Sequence, residues 1–272
     1  MEKHMMQALK NYFKSKGIKC NSGVGLTELL AEYLENTGKM VTCMKRKVHI
    51  SQYLQDKLQS EFADYRDIVN KFQIKFQEGE NINGHLSRKI YDATFYDKLL
   101  SSWGIYHIHL NEKEANTDVE MKENRSEVLL FIKLEEENVY FIDVQSHNQK
   151  YVFSSFKLLE VIANEWEYLL DKFKINQEGI VPGSLQPKIT CDKEIDMLRK
   201  ANINTFFEIK GKIYMPGWGI TSVGSSLECM MRAQKIIKNI RNIKHVQLFQ
   251  LTPNRESLGV YKIIGDRTIY YI

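Results

Sequence analysis

Three stretches near the middle of the chain decide the fold: Ile105-Tyr-His-Ile-His-Leu110, Glu127-Val-Leu-Leu-Phe-Ile-Lys-Leu134 and Val139-Tyr-Phe-Ile-Asp-Val144. Each is rich in β-branched and aromatic residues and contains neither Pro nor Gly, which is the composition of a strand. Only Glu135–Asn138 separate the second from the third, a hairpin-length turn. The spacing predicts an up-down-up antiparallel meander at the centre of an α+β protein.

Helical patterning flanks this meander. Upstream, Met40–Ile50 reads as a strand and Ser51–Gln77 as a long helix, with Leu54, Leu58, Phe62, Tyr65, Ile68, Val69 and Phe72 three or four residues apart. Leu86–Ser102 reads as a second helix. Met5–Lys14 and Thr27–Glu35 are two short helices of an N-terminal extension, residues 1–39. Downstream, Ser154 or Ser155 can cap a helix running to about Lys174, whose stripe of Leu158, Leu159, Ile162, Trp166, Leu169, Leu170 and Phe173 would cover one face of the sheet. Asn176–Lys188 then holds two Pro and two Gly after a run with no Pro at all. That shift places a boundary between an α+β domain, residues 40–175, and a smaller α/β domain, residues 189–272.

Within the C-terminal part, Lys193–Ala201 reads as a helix, and Thr205–Ile209 and Lys212–Met215 as strands about a Lys-Gly turn. Ser225–Ile243 is an amphipathic helix, with Ala233, Ile237 and Ile240 on one arc and Lys235, Lys238 and Arg241 on the other. Gly259–Ile264 and Thr268–Ile272 close the chain as strands. The glycine-bearing run before this helix (Tyr214-Met-Pro-Gly-Trp-Gly-Ile-Thr-Ser-Val-Gly-Ser-Ser) fits no phosphate-binding fingerprint and reads as a loop.

At 272 residues, with 43% hydrophobic and 26% charged residues, the chain has the make-up of an ordinary globular protein. Its apolar runs are strand-length, far short of the roughly 20 residues of a bilayer span. No secretory layout opens the sequence, and the four cysteines form no Cys-x-x-Cys pair. A cytoplasmic protein without a disulfide framework or zinc ribbon is expected. The net charge of +4 is unevenly spread. From Lys188 onward there are 14 basic and 7 acidic residues, a net of +7, whereas the first 187 residues hold 24 and 27, a net of −3. A basic C-terminal third suits a polyanionic partner.

The meander predicts a site. Alternate strand residues share a face, so His107 and His109 point the same way. The end of the first strand, the start of the second and the end of the third meet at one edge, and those places hold His109, Arg125 and His147. Two chemistries fit. In one, histidines act as base and acid near neutral pH while the Arg125 guanidinium forks onto a phosphate, cutting RNA without a metal. In the other, His107, His109 and His147 hold zinc and leave a position for water. Arg125 beside a dication would repel it, so no resident metal or other cofactor is expected.

From Met40 to Val152 the order is strand, two helices and a three-stranded meander. With Ile105-Tyr-His-Ile-His-Leu, Arg125-Ser-Glu-Val-Leu-Leu-Phe and Tyr140-Phe-Ile-Asp-Val-Gln-Ser-His147, this order resembles the RelE/ParE superfamily of bacterial toxins. The resemblance implies a metal-independent endoribonuclease of toxin or phage-defence type. It implies His107, His109, Arg125 and His147 as catalytic or phosphate-binding positions, and Tyr106 or Tyr151 as stacking partners. RNA is the implied substrate and an inhibitory antitoxin-like protein an implied partner; no membrane partner is expected. Lys235, Lys238 and Arg241 would help to grip the backbone. The rivals are the zinc-dependent hydrolase and a non-catalytic nucleic-acid- or protein-binding module.

Overall fold

In a computed structural model the three strands pair in the meander expected of them. The described residues are 2–111, 115, 117–123, 126–175, 183, 185, 189, 191–201, 203, 205–217, 219, 226–241, 248–251, 258–264 and 267–271. Strand β2 (Ile105–His109) runs antiparallel to β3 (Val128–Leu134), and β3 antiparallel to β4 (Asn138–Ser146). A short β1 (Lys47–Ile50) adds itself parallel to β4, so the sheet is mixed, in the order β1-β4-β3-β2. The architecture is α+β.

Register positions the site. Ile105, His107 and His109 stand opposite Lys133, Phe131 and Leu129. A bulge between Phe131 and Ile132 sets Phe131 against Asp143 but Ile132 against Phe141. The extra residue in β4 keeps Asp143 and Gln145 on the face that carries the histidines. That face also bears Ile105, Leu129, Phe131 and Tyr140, packed with Leu158, Leu159 and Ile162 of the helix Lys157–Glu165. Burying each such side chain stabilises the fold by roughly 1.5–3 kcal/mol. On the opposite face Phe141 meets Phe76 edge-on, at 5.7 Å between ring centroids.

The long helices read from periodicity are broken. Ser51–Gln77 is a helix Gln52–Leu58, a 3₁₀ turn Ala63–Tyr65 and a second helix Arg66–Glu78. The break is stitched by the Arg66 guanidinium, whose Nε and Nη2 donate to the Leu58 carbonyl at 3.1 and 2.9 Å. Leu86–Ser102 is helical only at Lys98–Trp103, with a 3₁₀ turn at Arg88–Tyr91. Asp92 and Asp97 explain why: each carboxylate accepts backbone N–H bonds from residues just after it, competing with a continuous helix. The third helix ends at Glu165 and continues as a 3₁₀ segment, Glu167–Phe173. Between β2 and β3 lies a short helix, Asp118–Glu123.

The chain forms two units whose segments alternate in sequence: Met1–Thr42 with Arg88–Tyr96 and Ile220–Ile272, and Cys43–Ser87 with Asp97–Gly219. This differs from the division drawn at the Pro/Gly-rich stretch. Strands β5 (Phe207–Ile209) and β6 (Lys212–Tyr214) and the helix Asp192–Lys200 place Ile195, Phe207, Ile209 and Tyr214 in the core of the sheet unit. In the other unit, Met5, Leu9 and Phe13 of the helix Glu2–Ser15 and Leu29, Leu30 and Tyr33 of Leu26–Lys39 pack with Met230, Ala233, Ile237 and Ile240 of the helix Leu227–Arg241. The apolar stripe of this last helix needs a partner, and the N-terminal helices supply it. Strands β7 (Leu248–Leu251), β8 (Leu258–Ile264) and β9 (Arg267–Tyr271) form an antiparallel sheet in the same unit. No strand at Leu248–Leu251 was expected.

Lys133 lies in the middle of the sheet core, 1% exposed. Its Nζ donates to the Trp103 carbonyl at 2.5 Å and sits 5.3 Å from the centre of the Phe173 ring. Gly104, at φ +67, leaves room for it: a Cβ there would come within 3.0 Å of the ammonium. Burial, reinforced by Lys172, pulls the Lys133 amine down to about 7. The unfolded chain, with its lysine at about 10.4, binds more protons between those values, so stability should rise from pH 7 to 10. Lys133→Met should flatten that rise and raise stability at pH 7 by roughly 1–4 kcal/mol. Urea melts at pH 7 and pH 9.5 check this; a destabilised variant with an unchanged pH slope would contradict it.

Candidate functional site

The histidines come together as strand alternation requires. His109 pairs with Leu129 at the end of β2, and the His147 N–H donates to the Glu127 carbonyl at 2.7 Å, extending the β3–β4 ladder one step beyond Ser146. His109 and His147 therefore stack, with ring centroids 5.7 Å apart and planes 27° apart, and His107 and His109 are separated by 6.2 Å. Phe153 joins them. Its ring lies edge-on to His107 at 4.9 Å and to His147 at 6.0 Å.

A tight turn brings Phe153 back. Gln149 N–H donates to the Ser146 carbonyl, and Ser154 N–H to that of Tyr151. Tyr151 takes φ 61, a left-handed conformation that for a bulky residue costs of order 1–3 kcal/mol.

Asp97 stands behind His107. Its Oδ1 accepts from the backbone N–H groups of Leu99 and Leu100, capping the helix Lys98–Trp103, which fixes the carboxylate. Its Oδ2 then lies 3.9 Å from His107 Nδ1. Burial holds His107 below the ordinary imidazole value; Asp97 works against that shift and His147 adds to it. His109 is buried, His107 and His147 are partly buried, and Phe153 is the exposed member of the cluster.

The remaining expected residues divide. Arg125 lies outside the described residues, as does most of the glycine-bearing run before the helix Leu227–Arg241. Tyr106 alternates onto the face opposite His107 and is buried, so the stacking role expected of it does not fit. Tyr151 is half-buried in the turn that carries Phe153. Lys235, Lys238 and Arg241 are exposed, in the unit that does not contain the histidines, and Arg241 Nε is 2.6 Å from Glu2 Oε1. Among the described residues no three His, Cys, Asp or Glu side chains are arranged to hold a metal ion, and stacked rings are not the geometry of a three-imidazole zinc set.

A buried polar network went unread in the sequence. Lys57 Nζ is 3.0 Å from Asp143 Oδ1 and donates to the Val144 carbonyl at 2.5 Å. Gln145 Nε2 donates to Asp143 Oδ2 at 2.8 Å and to Ser155 Oγ at 3.2 Å. Gln145 and His109 both pair with Leu129, which puts the network on the same face, two strands from His107 and His109 and on the strand that His147 extends. Burial raises the Asp143 carboxyl in spite of Lys57 and Gln145. The signal was present: an Asp within Val-Tyr-Phe-Ile-Asp-Val is almost never buried without a partner. His49, stacked on Tyr140, and His85, packed on Phe72, are structural.

No protein-family model matches the chain, and no solved structure does. Over 142 residues it is 28% identical to a Caenorhabditis elegans protein, "Intermediate filament protein ifd-2". That match covers 52% of this chain, which spans about a third of the relative's length, 31%. All four cysteines are free thiols. Among the described residues no helix is long and apolar enough to cross a membrane.

Proposed function

We propose that the chain is a metal-independent endoribonuclease of toxin or defence type, acting in the cytoplasm on RNA and open to restraint by an antitoxin-like protein. The observation that carries the reading is the packing of three imidazoles at one sheet edge with Asp97 behind His107. His107, held neutral by burial, fits the base that takes the 2′-hydroxyl proton. His147, at the other end of the cluster, is the residue we assign as the acid that protonates the leaving 5′-oxygen. His109 stacks on His147 and lies edge-on to His107, which keeps the pair close. Arg125, which lies outside the described residues, is the cation we assign to the phosphate. The resemblance to RelE/ParE toxins supports the same assignment.

A filament role gains less. The relative's name describes that protein, and among the described residues of this chain the longest helix, Leu227–Arg241, has 15 residues. That is about two heptads, short of the three or four that sustain a coiled coil.

The test is incubation of the full chain with single-stranded RNA and DNA, with and without chelator. RNA should be cut in both cases, leaving a 2′,3′-cyclic phosphate or 3′-phosphate, and DNA should stay intact. An absolute need for added metal, or cleavage of DNA, removes this mechanism.

A further inference from the structure

A closed circuit of contacts surrounds the histidine cluster and brings in residues far away in sequence. Asp97 faces His107, and the next residue, Lys98, donates from Nζ to the Arg199 carbonyl. Arg199 in turn donates from Nη1 to the Phe153 carbonyl, and the Phe153 ring returns to His107 and His147. Two cationic side chains thereby belong to the chain of contacts that leads back through Phe153 to the imidazoles. Arg199 also lines a small cavity with Ser154, Ser155 and Phe207. Phe153 is 38% exposed, although its ring packs on two imidazoles.

An exposed aromatic ring beside a guanidinium is what a single-stranded nucleotide needs: a face for its base and a fork for its phosphate. We propose that Phe153 and Arg199, with Lys98 beside them, form the subsite that holds the nucleotide next to the scissile phosphate. Phe153 stacks the base and Arg199 grips the phosphate. The proposal rests on the ribonuclease reading, and it deepens that reading by moving substrate contact to the helix Asp192–Lys200, beyond the meander itself.

The test separates binding from cleavage. The probe is a labelled single-stranded oligoribonucleotide with every ribose 2′-O-methylated, which cannot be cut by 2′-hydroxyl attack, together with an abasic strand of the same length. Phe153→Leu should weaken binding of the base-bearing strand on the order of 10-fold and leave the abasic strand unchanged. Phe153→Tyr, which keeps the ring, should bind like the native chain. Arg199→Gln should weaken both strands and reduce the salt slope by about one, and Arg199→Lys should restore part of the loss. Equal losses on both strands in Phe153→Leu, or native affinity in Arg199→Gln, would overturn the subsite, as would a native chain that binds neither strand. If the native chain cuts RNA while the variants bind normally, the subsite fails and the ribonuclease stands. If the variants lose binding as expected but the native chain cuts nothing, the subsite stands and the ribonuclease reading fails.

Discussion

Replacing His107 with Ala should slow RNA cleavage by about 100- to 10,000-fold and leave a measurable remnant, the usual consequence of losing a positioned proton-transfer group. The same loss is expected for His147→Ala. Because burial holds His107 below the ordinary imidazole range, the acid limb of the native pH profile should lie below pH 6.5. Asp97 opposes that shift, so Asp97→Asn should move the limb still lower while keeping the helix cap that an Asn can also provide. Stopped time courses from pH 4.5 to 9 on the native chain and the three variants check both statements. A limb that moves up in Asp97→Asn, or an alanine variant of either histidine with native rates, would remove these residues from the proton transfers.

Lys57→Met should destabilise the fold by about 3–5 kcal/mol near pH 8, because it leaves the Asp143 carboxylate buried without its ammonium. The Gln145 amide and the Val144 backbone N–H compensate only in part. The sign of the pH dependence follows from the raised Asp143 carboxyl. The folded state already holds its proton to a higher pH than the unfolded chain does, and losing Lys57 extends that window. Stability of the variant should therefore fall as pH rises from 4 through neutrality, and the defect should shrink in acid. Asp143→Asn combined with Lys57→Met removes the stranded charge and should recover much of the loss. Denaturant midpoints at pH 5 and pH 8 decide it: an equal defect at both would mean that packing, not charge, is what Lys57 supplies.

The central strands were legible because β-branched and aromatic runs, a four-residue turn and simple alternation determine which side chains share a face. The same alternation foretold that His107, His109 and His147 would meet. Pairings that join distant residues were not legible. Nothing local in Met40–Ile50 says that its last four residues will run parallel to β4. Asp97 reads as an ordinary helix cap, and only the fold turns its second oxygen toward His107. Lys133 and Asp143 were visible as charges inside apolar strands, yet their partners, Trp103 and Lys57, come from elsewhere. Arg199 lies beyond the Pro/Gly-rich stretch, which made it look like part of a different body. The long helices failed for the opposite reason: periodicity continued across Gln59–Phe62 and Trp166, where side chain–backbone bonds or a non-helical residue interrupts the ladder.

The interleaving of the two units bears on the order in which the protein becomes itself during translation. Met5, Leu9 and Phe13 emerge from the ribosome about 200 residues ahead of Met230, Ala233 and Ile237, the side chains that complete their core. At roughly 5–20 residues per second the delay is on the order of 10–40 s. Throughout that interval the sheet unit, whose segments all lie between, can finish folding, while the leading helices wait with an apolar stripe uncovered. The newborn chain thus carries a sticky pair of helices until the helix Leu227–Arg241 arrives to cover them, a period in which a chaperone or a neighbouring nascent chain competes for the same surface.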